Sequence, residues 1–153
     1  MRIFFICKVR GVTEDSEEYQ RQKAYVEEWE RQGHEVHWPH RNTEQKDPKH
    51  GTGICRTTFW AIFWSDEVRV LFDPTSEGFI ADMMMTFALK ELGNNNLFKR
   101  FVGRRKVVVM NPEALERKIA EEIEQQIIKG ADPLFVKSYA MVLQDFARET
   151  ASF

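Results

Sequence analysis

Apolar positions fall along the chain in blocks that alternate between strand-like and helix-like spacing. Ile3 to Cys7 is an unbroken apolar run that stops at the polar turn Lys8-Val9-Arg10-Gly11, the pattern of a central parallel strand covered on both faces. Asp15, with Glu18 three residues on, is a capping signal. After it Tyr19, Ala24, Val26 and Trp29 lie within a charged segment that stops at Gly33, which predicts an amphipathic helix with a C-terminal glycine. Glu35 to Trp38 reads as a short second strand ended by Pro39. The polar stretch from His40 to Gly53 is the longest without periodicity, a type of segment that often carries function. Ile54 to Trp64 predicts a helix so aromatic, with Phe59, Trp60, Phe63 and Trp64, that burial on more than one side is expected. Glu67 to Phe72 alternates as a third strand, and the turn Asp73 to Gly78 feeds a helix from Phe79 to Leu92. Asn94-Asn95-Asn96 marks a break before Lys106 to Met110, an apolar fourth strand closed by Asn111-Pro112. Leu115, Ile119, Ile123 and Ile127 predict one more core-facing helix. Phe135, Tyr139, Val142 and Phe146 predict a last one within Pro133 to Glu149.

Alternating strands and helices with apolar parallel strands imply an α/β fold. The expectation is a three-layer sandwich with a doubly wound, mostly parallel sheet of the flavodoxin-like or Rossmann-like kind and extra C-terminal helices, because right-handed crossovers place helices on the sheet faces. A single domain over 1–153 is expected, with a helical extension over about 112–150. Ligands of such folds lie at the carboxyl ends of the strands. That rule selects Lys8 to Gly11, Pro39 to Asn42, Asp73 to Asp82, and Asn111-Pro112.

Composition narrows the classes further. The 153 residues, 42% hydrophobic, suffice for one core and not for two ordinary domains. A net charge of -2 leaves nucleic acid unsupported as a partner. Cys7 and Cys55 cannot build a disulfide framework and both stand in apolar surroundings, which predicts reduced, buried thiols and a cytoplasmic protein. No apolar run reaches the length of a membrane helix, and the apolar start is too short for a signal-peptide core.

Phosphate-loop, dinucleotide-loop and zinc signatures are absent. His34, His37 and His40 point to alternating faces if extended, so no shared metal is expected. The informative segment is Ser76-Glu77-Gly78-Phe79-Ile80-Ala81-Asp82. A hydroxyl and a glycine at a helix N-terminus can seat an anion, with Asp82 about one turn further in. The same residues also fit a plain capping serine and a solvated first-turn acid. Lys8 and Arg10, beside Gly11, would face that seat across the crevice, with Arg suited to bidentate phosphate contact; alone they also fit a solvated turn. The run Lys99, Arg100, Arg104, Arg105 and Lys106 reads as a solvated face.

These residues resemble the nucleoside 2-deoxyribosyltransferase superfamily, which includes the 2'-deoxynucleoside 5'-phosphate N-hydrolases. Phe4 to Gly11, followed by Glu14-Asp15 and Tyr19, is similar to the hydrolase first strand and phosphate-contacting turn. Ser76-x-Gly78-x-x-x-Asp82 is similar to the family's S-x-G-x-x-x-E, and His34 to Trp38 with Pro39 and Arg41 resembles its second strand and following loop. The resemblance spans about residues 1–110, with gaps. It implies attack on the N-glycosidic bond of a (deoxy)nucleoside 5'-monophosphate by a carboxylate nucleophile, Asp82, through a covalent sugar intermediate. It also implies that Phe4, Lys8, Arg10, Gly11, Arg41, Ser76 and Gly78 surround the substrate, that no cofactor or metal takes part, and that a homo-oligomer completes the site; the strand-end rule adds Asn111 to the substrate contacts.

Three positions depart from the family pattern. Asp82 is one methylene shorter than the usual Glu, Phe4 replaces a Tyr, and Arg56, Thr57 and Thr58 stand where the helix before strand three carries an acid. The alternative is a non-catalytic nucleotide-binding or interaction module of the same fold.

Overall fold

The computed structural model describes residues 1–48, 51–94, 105–132, 136 and 138–151. In chain order the elements are β1 (Arg2–Ile6), α1 (Glu17–Arg31), β2 (Glu35–His37), α2 (Pro39–Asn42), α3 (Thr52–Trp64), β3 (Glu67–Val70), α4 (Glu77–Asn94), β4 (Lys106–Val109), α5 (Pro112–Ile128) and α6 (Tyr139–Thr150). The strands form one all-parallel sheet in the order β2-β1-β3-β4, with Phe4 registered between His37 of β2 and Val68 of β3. The protein is thus α/β, with a four-stranded parallel sheet and six helices among the described residues, compatible with a flavodoxin-like or Rossmann-like three-layer fold.

The unbroken apolar run of β1 has a direct cause: both of its faces are covered. Ile3, Phe5 and Cys7 pack with Val26 and Trp29 of α1, whereas Phe4 and Ile6 pack with Ile62 of α3 and Phe79 and Met83 of α4. Burying each such side chain contributes about 1.5–3 kcal/mol. Strand β4 lies at one end of the sheet order and is bound by α6. Buried Thr150 accepts from the Val107 N–H at 2.9 Å and donates to the Phe146 carbonyl at 2.9 Å. That contact satisfies an edge-strand donor that would otherwise invite another chain.

Several expectations change. The α1 cap is Ser16 and not Asp15: its hydroxyl accepts from the Tyr19 N–H at 3.2 Å. Residues 39–42 form the short helix α2 within what reads as structureless loop, because Pro39 at N1 presets the helical backbone. Helix α3 is not buried on several sides, since Trp60 and Trp64 are 49% and 57% exposed. The four-residue periodicity of α5 keeps only Leu115 buried, and Ile127 is 44% exposed. A 17-residue helix is about 25 Å long, whereas a four-residue strand reaches only about 13 Å, and α5 meets chiefly α6, which itself covers β4. The buried stripe of α6 is Ala140, Leu143, Phe146 and Thr150; Tyr139 and Val142 face outward.

Cys55 is exposed, against the expectation of two buried thiols, while Cys7 is buried. Arg105 is also not part of a solvated basic face. It is buried and donates to the Ile62 carbonyl at 2.9 Å and to the Phe63 carbonyl, closing the C-terminal end of α3. Residues 95–96, Lys99, Arg100, Arg104, Pro133 and Phe135 lie outside the described residues. Among the described residues no helix is long and apolar enough to cross a membrane.

Candidate functional site

From β1 the chain moves to β2 on one side of the sheet and later to β3 on the other, so the strand order reverses between β1 and β3. At that reversal the connections following the two strands diverge and leave a crevice at their carboxyl ends. A cavity of about 290 Å³ lies there, lined by Cys7, Lys8, Val9 and Arg10 after β1 and by Thr75, Ser76, Gly78 and Asp82 at the start of α4. Pro39, Gln45, Ile54 and Thr58 line it as well.

Lys8, Arg10, Ser76, Gly78 and Asp82 are therefore brought together as the spacing predicts. The other predicted contacts do not line the cavity. Phe4 is fully buried in the core and stacks on His37 with centroids 5.2 Å apart, so it is a packing residue. Gly11 adopts φ 77 in the turn closed by the Val12 N–H donating to the Val9 carbonyl at 3.1 Å, and its task is the left-handed backbone. Arg41 is held by Glu30 at 2.7 Å and by the Val36 carbonyl at 2.8 Å. Asn111 clasps the backbone of Phe72, accepting from its N–H and donating to its carbonyl, both at 2.8 Å. It thereby ties the end of β4 to the end of β3.

Gly78 is the opposite of Gly11. It lies within α4 without a positive φ, and a Cβ there would meet nothing within 4 Å. Neither backbone strain nor packing requires a glycine at this position, and what its missing side chain leaves open is the cavity. Ser76 and Gly78 stand at the N-terminal end of an 18-residue helix, where unpaired N–H groups and the helix dipole favour an anion.

Burial pushes the Asp82 carboxyl up to about 7. The Cys7 thiol beside it is raised by burial, against the hydrogen bond with Trp38, and raised further by the Asp82 charge, so it is no nucleophile at neutral pH. The site therefore offers one carboxyl group raised by burial, a cationic and N–H-rich end, and a wall of Pro39, Ile54 and Thr58. Among the described residues no cluster of His, Cys, Asp and Glu could hold a metal ion. His37 Nε2 meets Thr43 Oγ at 3.0 Å, and His40 Nε2 lies 3.3 Å from the Lys8 carbonyl.

Sequence reasoning missed Gln45 and Ile54 as lining residues. The long segment after β2 pointed to their region but not to these side chains, because they reach the cavity only through the path of the chain between α2 and α3. Thr58 was visible only as a departure from the family's acid, and it is buried against the cavity. Comparisons with protein-family models, with curated proteins and with solved structures found no match.

Proposed function

We propose that the protein is a nucleotide N-glycosidase or deoxyribosyltransferase-like enzyme acting on the N-glycosidic bond of a (deoxy)nucleoside 5'-monophosphate. The observation that carries the reading is Asp82 lining one cavity with Arg10 and Ser76. In this mechanism Arg10, Ser76 and the N–H groups of α4 take the 5'-phosphate, which fixes the sugar over Asp82. The carboxylate attacks the anomeric carbon as the bond to the base breaks, and water or a second base then releases the sugar. A buried nucleophile loses less of its reactivity to hydration, and no metal or cofactor is required by this chemistry.

The test is base release from a panel of ribo- and deoxyribonucleoside monophosphates, followed by chromatography. Release by the wild type and its loss in Asp82→Ala are expected; a folded wild type that releases no base from any member overturns the reading. A second reading, a nucleotide-binding module without turnover, is favoured by one observation: Asp82 is the only carboxylate lining the cavity among the described residues, with Thr58 where the family pattern places an acid. Nucleotides would then raise the melting temperature without releasing base. Homo-oligomer formation belongs to the same proposal, supported by Trp60 and Trp64 on α3 and Ile80 and Met84 on α4, all large, apolar and exposed.

A further inference from the structure

Lys8 does not wait in the cavity with its charge unengaged. Its ammonium donates to Thr75 Oγ at 2.7 Å and lies 3.4 Å from Asp73 Oδ2. Thr75 in turn donates to Asp73 Oδ1 from both its N–H, at 2.8 Å, and its hydroxyl, at 2.6 Å. The Ser76 N–H donates to the Asp73 carbonyl at 3.1 Å. The two carboxylate oxygens thus have separate tasks among the described residues: Oδ1 shapes the turn that presents Ser76, and Oδ2 meets the Lys8 charge. Lys8, Thr75 and Ser76 line the cavity, and Asp73 stands behind them.

We propose that Asp73 is a built-in competitor for Lys8, an internal carboxylate that occupies the ammonium a ligand's phosphate must win. This rests on reading the cavity as a phosphate seat. Asp73 then acts as a specificity residue that never touches the substrate. Because it cancels much of the Lys8 charge, a neutral or weakly charged ligand gains little from Lys8. A phosphomonoester carries up to two charges and three acceptor oxygens, so it draws the ammonium over. At 3.4 Å the Lys8–Asp73 contact is longer than a charge-assisted hydrogen bond of about 2.8 Å. Both side chains are about one-third exposed, so little holds the pair against a stronger anion. The Thr75 hydroxyl stays with Lys8 as a pivot, and the exchange needs no backbone movement.

Calorimetric titration with inorganic phosphate, a deoxynucleoside monophosphate panel and the matching unphosphorylated nucleosides tests the proposal. Asp73→Asn keeps an Oδ1 acceptor for Thr75 and removes the charge. It is expected to tighten phosphate and nucleotide binding by about two- to fivefold, the size of a partly exposed ion pair, and to leave nucleosides unchanged. Asp73→Ser, which also keeps an acceptor for the turn, should do the same and serves if the Asn variant does not fold. In a Lys8→Met background the gain should vanish. Wild type that binds phosphate or nucleotide while the folded Asp73 variants bind it no more tightly, or retain their gain without Lys8, overturns the proposal alone. Wild type that binds neither phosphate nor any nucleotide overturns the seat itself, and the proposal with it.

Discussion

Asp82 carries a pH dependence of determinate sign. Its carboxyl is raised from 3.8 to about 7 by burial, so the folded state holds a proton that the unfolded chain releases. Its contribution to stability is fully present below about pH 4, declines as pH rises towards 7, and is level above. The slope is about 1.4 kcal/mol per pH unit within that window. Asp82→Asn should remove this slope, as read by urea midpoints at pH 5 and pH 8, and should make the protein more stable than wild type at the higher pH. Base release needs the ionised nucleophile and should climb with pH through about 7 before levelling. Gly78 gives a second residue-scale test. Gly78→Ala removes a helix-weakening residue at a position with open space, so stability should hold or rise by about 0.5–1 kcal/mol. The new methyl group narrows the seat, and nucleotide affinity should fall about tenfold in the same titrations. Gly11→Ala would show the reverse, losing stability through its positive φ.

At the scale of elements, the C-terminal end of α3 depends on β4. Replacing Arg105 by Met withdraws the donor from the Phe63 carbonyl and one of the donors to Ile62, whose carbonyl also accepts from Ser65. A loss of about 2 kcal/mol in urea unfolding is expected, with Lys restoring little, because an ammonium lacks the guanidinium fork. That tie also shows where sequence pattern stops being informative. Uninterrupted apolar runs announce strands, so β1, covered on both faces, and β4 at the end of the sheet order were legible almost to the residue, and α4 followed from the turn before it. Arg105 was not, because a buried cation bonded to carbonyls reads the same as a solvated one. The α3 and α5 faces misled for a related reason: periodicity tells which residues share a side of a helix but not whether the sheet extends beneath them. In the site, Asp82, Ser76, Gly78, Lys8 and Arg10 followed from strand-end logic. Asn111 stands at a strand end too, yet its amide is spent on Phe72, and no spacing rule separates these cases.

For the whole molecule, the near-zero net charge conceals an uneven arrangement in which Lys8 and Arg10 line the cavity at the N-terminus of α4 while cations such as Arg21, Arg31 and Arg41 pair with neighbouring carboxylates on the surface. Self-association is the prediction at this scale. Sedimentation at micromolar concentration should show a species larger than the monomer, and Trp64→Glu should reduce it to the monomer with little change in the monomer's melting temperature, since Trp64 is already more than half exposed. A wild type that sediments as a monomer removes that part of the proposed function. The four tryptophans are divided by the sheet: Trp29 and Trp38 are buried on the α1 side, and Trp60 and Trp64 are exposed on α3. The chain therefore carries two optical channels. Iodide should quench the α3 pair and spare the other, whereas Trp38, hydrogen-bonded to Gln22 and to Cys7 at the cavity, is the emitter placed to register a ligand arriving.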